Sequence, residues 1–145
     1  MRDQRETHVL QSIGAVLAGI LVGVILTIGT DFVLHQAGVF PPIGQPASSP
    51  SLLLATLYRT LYTILGSYVI ARLAPSKPMK HALVSGVIGV VVSSVGAAVT
   101  WNKPAFGPHW YPLALIVLAM PTAWAGAKIR EAQIAKPQAM SQKMS

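Results

Sequence analysis

Long apolar segments alternate with short polar ones along the 145-residue chain, and this alternation predicts the helices. Four segments carry almost no charge, and each approaches the roughly 20 residues that a helix needs to cross a hydrocarbon core about 30 Å thick. Proline-rich or charged connections separate them. The pattern therefore predicts an all-α, polytopic membrane protein with four transmembrane helices, at about residues 9–36, 51–72, 82–101 and 110–128.

These helices predict a single transmembrane domain over residues 1–130. The segment that follows helix 4 is polar, so we expect residues 131–145 to form a flexible cytoplasmic tail. The first connection, "AGVFPPIGQPASSP", is rich in Gly, Pro and Ser, and proline cannot continue a helix. The chain thus reads as two pairs of membrane-spanning helices with short connections.

The basic residues predict how the chain is threaded. Nine of the eleven Lys and Arg residues fall before helix 1, between helices 2 and 3, or after helix 4. The opposite side receives only Lys103, and Arg59 lies inside helix 2. Because Lys and Arg accumulate in cytoplasmic loops, we expect two in–out–in hairpins with both termini in the cytoplasm. The expected location is a bacterial-type plasma (inner) membrane.

The composition supports lipid as the solvent and argues against several functions. Only 10% of residues are charged, compared with about 25% in soluble domains. The net charge of +7 does not predict nucleic-acid binding, because the basic residues are dispersed in short runs and form no patch. The absence of cysteine excludes disulfides and thiolate metal sites. No phosphate-binding loop, nucleophile elbow or zinc-protease motif occurs, so we expect no enzyme activity, cofactor or metal.

Arg59 is the residue that demands an explanation. An arginine at the centre of a span costs about 2.5–3.5 kcal/mol, and charges within membranes usually face the protein interior and pair. Arg59 lies eight residues beyond Ser51, about 12 Å along helix 2. Asp31 lies about 8–9 Å before the predicted end of helix 1, and it is the only acid between the terminal segments. We predict an Asp31–Arg59 ion pair.

Two histidines are candidates to extend this pair into a site. His35 lies one turn beyond Asp31, and His109 is expected on the same outer side of the membrane. Together with Asp31 and Arg59 they could form a polar vestibule. Such a vestibule would suit anion binding by Arg59, proton relay by His35 or a metal held by two histidines and a carboxylate. A purely structural ion pair is the interpretation that we favour.

Helix 2 also carries a stripe of hydroxyl side chains. Its members recur at i, i+4, i+7 and i+11, which places them on one helical face. A hydroxyl on a helix can bond to its own backbone, so the stripe need not face water. It is nevertheless the candidate lining of a polar path, and it consists of Thr56, Thr60, Thr63 and Ser67.

Small residues repeat every fourth position on helices 1 and 3. In lipid, helices associate through close packing of small residues and through polar contacts, since apolar surface gains nothing by leaving lipid. We expect these two stripes to be packing faces that meet each other or meet copies of themselves. A narrow pore lined by glycine backbone is the alternative. The stripes are represented by Gly19 and Gly23 on helix 1, and by Ser85, Gly89 and Ser93 on helix 3.

Three classes of function follow from these features. A channel- or transporter-like protein would use the face of helix 2 as its path. An accessory or scaffold subunit of a larger membrane complex would need the ion pair only to fix the fold. An embedded enzyme would use the outer His, Asp and Arg side chains. The polar stripe slightly favours the first class. The expected partners are the lipid bilayer and either further copies of this chain or other membrane subunits.

Overall fold

Four α-helices dominate the computed structural model, which describes the backbone of residues 2–143 and the side chains of residues 6–136. All four are long and apolar enough to cross a membrane, which confirms the prediction of an all-helical chain with four membrane-length helices. A short 3₁₀-helix precedes the last of them. The elements are α1 (Arg2–Gln36), α2 (Ser49–Leu73), α3 (Pro78–Thr100), the 3₁₀-helix Pro104–Phe106 and α4 (Trp110–Lys143).

The ends of the helices follow from local sequence signals. Gly38 adopts a positive φ of 72° just after α1, the left-handed conformation in which glycine commonly ends a helix. Ser48 caps α2 by accepting a hydrogen bond from the backbone N–H of Ser51 at 3.4 Å. Proline occupies the first turn of both α2 and α3, where its missing N–H would be unpaired anyway.

Helix α4 is longer than the sequence pattern predicts. It continues through the proposed tail as far as Lys143, so the backbone of residues 131–143 is helical. This stretch is rich in Ala, Gln and Lys, all strong helix formers. The ammonium of Lys128 also contacts the Glu131 carboxylate at 3.1 Å across one turn. Low hydropathy here marks the end of the apolar segment, but it does not mark the end of the helix.

The helices pack in the order α1, α2, α4, α3, while α1 and α3 touch each other only slightly. Small residues fill the interior, and within residues 6–136 eight of the twelve buried hydrophobic residues are alanine. Large side chains such as Leu17, Ile25, Val95 and Val117 are exposed on the outside. A soluble monomer rarely exposes so extensive an apolar surface. The distribution fits a chain whose outer surface faces lipid.

Glycines allow the tightest approaches between helices. A Cβ built on Gly66 of α2 would lie 2.6 Å from the carbonyl oxygen of Gly19 on α1. One built on Gly126 of α4 would lie 2.7 Å from Ser67 Cβ on α2. One built on Gly86 of α3 would lie 2.8 Å from the Cβ of Ala123 on α4. Each pair of strongly contacting helices therefore meets at a glycine.

Candidate functional site

A three-residue polar cluster joins α1 to α2, and we call Asp31, Tyr58 and Arg59 the charged contact. The guanidinium of Arg59 donates from Nη2 to Asp31 Oδ2 at 2.7 Å. The Tyr58 hydroxyl donates to the other carboxylate oxygen, Oδ1. Both oxygens of the only acid between the terminal segments are thereby engaged.

Aromatic rings enclose the charged contact. Tyr58 is buried against Phe40 and Ala55. The guanidinium carbon of Arg59 lies 6.0 Å from the centre of the Tyr111 ring on α4, at the outer limit of a cation–π contact. The Arg59 and Asp31 side chains retain 32% and 28% of their exposure, respectively. The pair is therefore held at the edge of a protein interior and is not sealed inside it.

Each of the two candidate histidines bonds a backbone oxygen. His35 Nδ1 lies 2.7 Å from the backbone oxygen of Asp31, and its ring packs against Phe40. His109 stacks on Trp101 with ring centres 4.2 Å apart and bonds the Trp101 carbonyl through Nε2 at 2.8 Å. Among the described residues, no group of three or more His, Cys, Asp or Glu side chains could hold a metal ion. Within the described residues neither ring is hydrogen-bonded to the Asp31 or Arg59 side chain, and the vestibule of Asp31, His35, Arg59 and His109 stays a prediction.

The threonines of the α2 stripe use their hydrogens within the helix. Thr56, Thr60 and Thr63 each donate to the carbonyl four residues earlier, at 2.7–2.8 Å. Their oxygens can still accept hydrogen bonds. Ser67 is buried where α2 meets α4. The stripe therefore presents a wall of hydroxyl oxygens with few free donors.

A cavity of about 390 Å³ lies between the four helices, and this stripe forms part of its wall. Arg59, Thr60, Thr63 and Ser67 all line it, whereas Thr56 does not. Most of the remaining wall is aliphatic and comes from all four helices. These aliphatic side chains are Ile20, Val24, Ile28, Ile70, Ile88, Val92, Leu115, Leu118 and Ala119.

The small-residue stripes divide between packing and the cavity wall. Gly19 of α1 meets α2, and a Cβ on Gly23 would make an ordinary contact 3.6 Å from the backbone carbonyl oxygen of Tyr62. A Cβ on Gly89 of α3 would lie 3.4 Å from Ala119 Cβ on α4. All three glycines also line the cavity, together with Ser85 and Ser93. The stripe of α1 thus packs on α2, and the stripe of α3 packs on α4.

Two contributions escaped the sequence reasoning. The sequence pattern does not predict a role for Tyr58, although its hydroxyl bonds the second carboxylate oxygen of Asp31. The small face of α4 was also missed. Its members recur at i, i+3, i+4, i+7 and i+8, which is a helical stripe that the sequence displays. They are Ala119, Thr122, Ala123, Gly126 and Ala127.

Comparison with known proteins adds no relative. No family model matches the chain, and neither the curated proteins nor the solved structures include one that is significantly similar. The geometry of the charged contact and of the cavity is therefore the basis for assigning a role.

Proposed function

We propose that this chain is a small channel- or transporter-like protein of a bacterial-type plasma (inner) membrane. The observation that carries the proposal is the cavity of about 390 Å³, with Arg59 and the hydroxyls of Thr60 and Thr63 along one wall. Charged side chains within membranes usually mark a path or a binding site. The path runs along the face of α2 between the other three helices.

The proposed threading places both termini in the cytoplasm, with two in–out–in hairpins. The excess of basic residues on one side supports it. The contacts between α1 and α2 support an antiparallel pair, because Asp31 meets Arg59 while the earlier Gly19 meets the later Gly66. The aromatic residues Trp101 and Trp110 flank the connection between α3 and α4, as expected at an outer interface.

Cysteine accessibility tests the path directly, since the natural chain contains no cysteine. Thr63→Cys faces the cavity, while Leu61→Cys lies two residues away on an exposed face that does not line it. We expect a charged, membrane-impermeant thiol reagent to label Thr63→Cys in sealed vesicles. The reagent reacts with the thiolate, and a thiolate forms readily only near water. Each unit by which apolar surroundings raise the pKa of a thiol lowers its thiolate fraction about tenfold. Equal, slow labelling of both variants would exclude a water-accessible path.

An accessory or scaffold role is the second candidate, and the outer faces of α1 and α3 favour it. A Cβ on Gly14, Gly29 or Gly96 would meet nothing within 4 Å, so another helix can approach closely at these points. The partners would be further copies of this chain or other membrane subunits. Native mass spectrometry of particles extracted in mild detergent distinguishes the two. A homo-oligomer supports a self-contained transporter, whereas other polypeptides at fixed stoichiometry support the accessory role.

A further inference from the structure

The cavity has an open side between α1 and α3. These two helices touch only slightly, although both contribute to the wall. On this side the lining residues are largely exposed, with Ile28 at 62% and Val92 at 64%. On the opposite side Ser67, Ile70 and Thr122 are buried where α2 meets its neighbours. A molecule can therefore reach the cavity sideways, from the hydrocarbon of the bilayer.

The dimensions of the cavity fit a small lipophilic molecule. Its α2 wall runs from Arg59 to Ile70, a distance of about 16 Å at 1.5 Å per residue. Its volume of about 390 Å³ falls within the range of roughly 300–1,000 Å³ that is usual for ligand pockets. The wall is mainly aliphatic, as such pockets generally are.

The polar groups of the wall define which functional group it can recognise. Thr60, Thr63, Ser85 and Thr122 already donate to carbonyls of their own helices. Arg59 lines the cavity and has donors to spare, because its guanidinium carries five N–H groups and only Nη2 donates to Asp31. The site therefore offers N–H donors to an oxygen acceptor on the ligand.

Charge and depth narrow the ligand class further. Asp31 already compensates the charge of Arg59, so an anion would have to compete with that carboxylate while a neutral oxygen need not. The charged contact lies about 15 Å along α2 from Ser49 and about 8 Å before the end of α1 at Gln36. The ester carbonyls of a phospholipid at rest remain near the interface, above this depth.

We propose that the cavity binds an uncharged, lipophilic molecule bearing a carbonyl oxygen, which enters between α1 and α3 and accepts a hydrogen bond from Arg59. The inference rests on the proposed function, for which it names the substrate class. The aliphatic wall holds the body of the molecule, and Arg59 fixes its polar end.

A matched pair of probes tests the proposal: the ketone undecanone and the alkane undecane, which differ in one carbonyl oxygen. The full-length protein carrying Ser93→Cys, a cavity position, is placed in phospholipid nanodiscs and labelled with a membrane-permeant maleimide. Val91→Cys, which is exposed but outside the cavity, is the control. We expect undecanone at about ten times its dissociation constant to slow labelling of Ser93→Cys by about tenfold, as simple occupancy requires. Val91→Cys should be unaffected, and undecane should protect much less.

The role of Arg59 is tested in a neutral background that leaves no charge unpaired. Asp31→Asn combined with Arg59→Met removes both charges and every N–H donor of the side chain at position 59, so it should abolish the preference for the ketone over the alkane. If that variant does not fold, Val92→Trp at the opening should block undecanone protection, and Val91→Trp should not. Equal protection by ketone and alkane in the natural background, or no protection by either, would overturn the assignment.

The outcomes separate this inference from the proposed function. If the charged reagent labels Thr63→Cys but undecanone fails to protect Ser93→Cys, the water-accessible path stands and the ligand class is wrong. If undecanone protects Ser93→Cys but Thr63→Cys stays unlabelled, the lateral binding site stands and the water-accessible path is wrong.

Discussion

The α1–α2 pair is held together in two different ways along its length. Near one end, Gly19 and Gly66 bring the two backbones together, and we call this the glycine contact. Near the other end, the charged contact of Asp31, Tyr58 and Arg59 joins the same helices through side chains. The first depends on the absence of side-chain atoms, and the second depends on particular functional groups.

The difference shows what replaces the hydrophobic effect inside a membrane. Apolar surface gains nothing by moving from lipid to protein, so shape and polar pairing must hold the helices together. The glycine contact supplies shape, because it permits backbone approach at a single register. The charged contact supplies a strong penalty for separation, because parting the helices would leave Asp31 and Arg59 in a medium of low dielectric. Together they fix both the distance and the register of α1 on α2.

Removing one charge should give the largest effect. Arg59→Met keeps the length and apolar stem of the side chain but leaves Asp31 without its cation. Breaking a buried pair from one side costs about 3–5 kcal/mol, and we expect a loss near 3 kcal/mol because both side chains are partly exposed. Unfolding in mixed micelles measures the difference. It is monitored through the loss of helicity as the fraction of denaturing detergent increases.

The control for this prediction is the charge swap. Asp31→Arg and Arg59→Asp should each destabilise the protein alone, and the double variant should recover part of the loss. A double variant no more stable than the worse single variant would show that the two charges do not stabilise each other.

Adding one methyl group at the glycine contact should give the next largest effect. The new Cβ of Gly66→Ala would lie 2.6 Å from the Gly19 oxygen, which is backbone and cannot rotate away. Overpacking of this kind costs typically about 1–3 kcal/mol. Gly14→Ala is the matched control on α1, because nothing lies within 4 Å of its Cβ. Alanine exceeds glycine in helix propensity by roughly 0.8–1.0 kcal/mol, so the control should be neutral or slightly stabilising in the same assay.

The two contacts also differ in how far the sequence predicts them. Asp31 can be matched to Arg59 because Asp31 is the only acid within the predicted spans and Arg59 is the only basic residue away from their ends, and uniqueness removes the ambiguity. Gly19 lies on a recognisable small-residue face, but such a face does not name its partner. In the structure the partner of Gly19 is Gly66. From the sequence alone, the α3 stripe or a second copy of the chain would have been an equally good partner.

The cavity lies beyond what the sequence pattern could predict. Helical periodicity places Thr60 and Thr63 on one face, but the space in front of them depends on the order of the helices around the bundle. That order, with α4 between α2 and α3, follows from the small face of α4. The sequence shows the periodicity of that face. Alanine is common in any apolar helix, however, so Ala123 and Ala127 do not reveal whether the face packs against another helix.

Tyr62→Phe tests whether polar contacts between α1 and α2 stabilise the pair beyond the charged contact itself. The Tyr62 hydroxyl lies 2.9 Å from Thr30 Oγ1, next to the charged contact. Hydrogen bonds between membrane helices contribute on average about 0.6 kcal/mol, so we expect a loss of that size in the micelle assay. Tyr58→Phe should cost more, since its hydroxyl bonds a carboxylate and bonds to charged groups contribute about 1.5–3 kcal/mol. Equal losses would mean that the charge of Asp31 does not strengthen the Tyr58 bond.

Thr60→Val should give the smallest effect on stability and thereby separate folding from function. The substitution keeps the branched shape, and the lost hydrogen bond runs only to the Thr56 carbonyl of the same helix. That carbonyl already belongs to the α2 helical backbone, so we expect a change within about 0.5 kcal/mol. The same change removes a hydroxyl oxygen from the cavity wall. In the Thr63→Cys background it should therefore slow labelling by the charged reagent while leaving the unfolding midpoint in place. Unchanged labelling would show that the hydroxyl at position 60 does not help water to enter the cavity, and would leave Arg59 as the polar group that sets its chemistry.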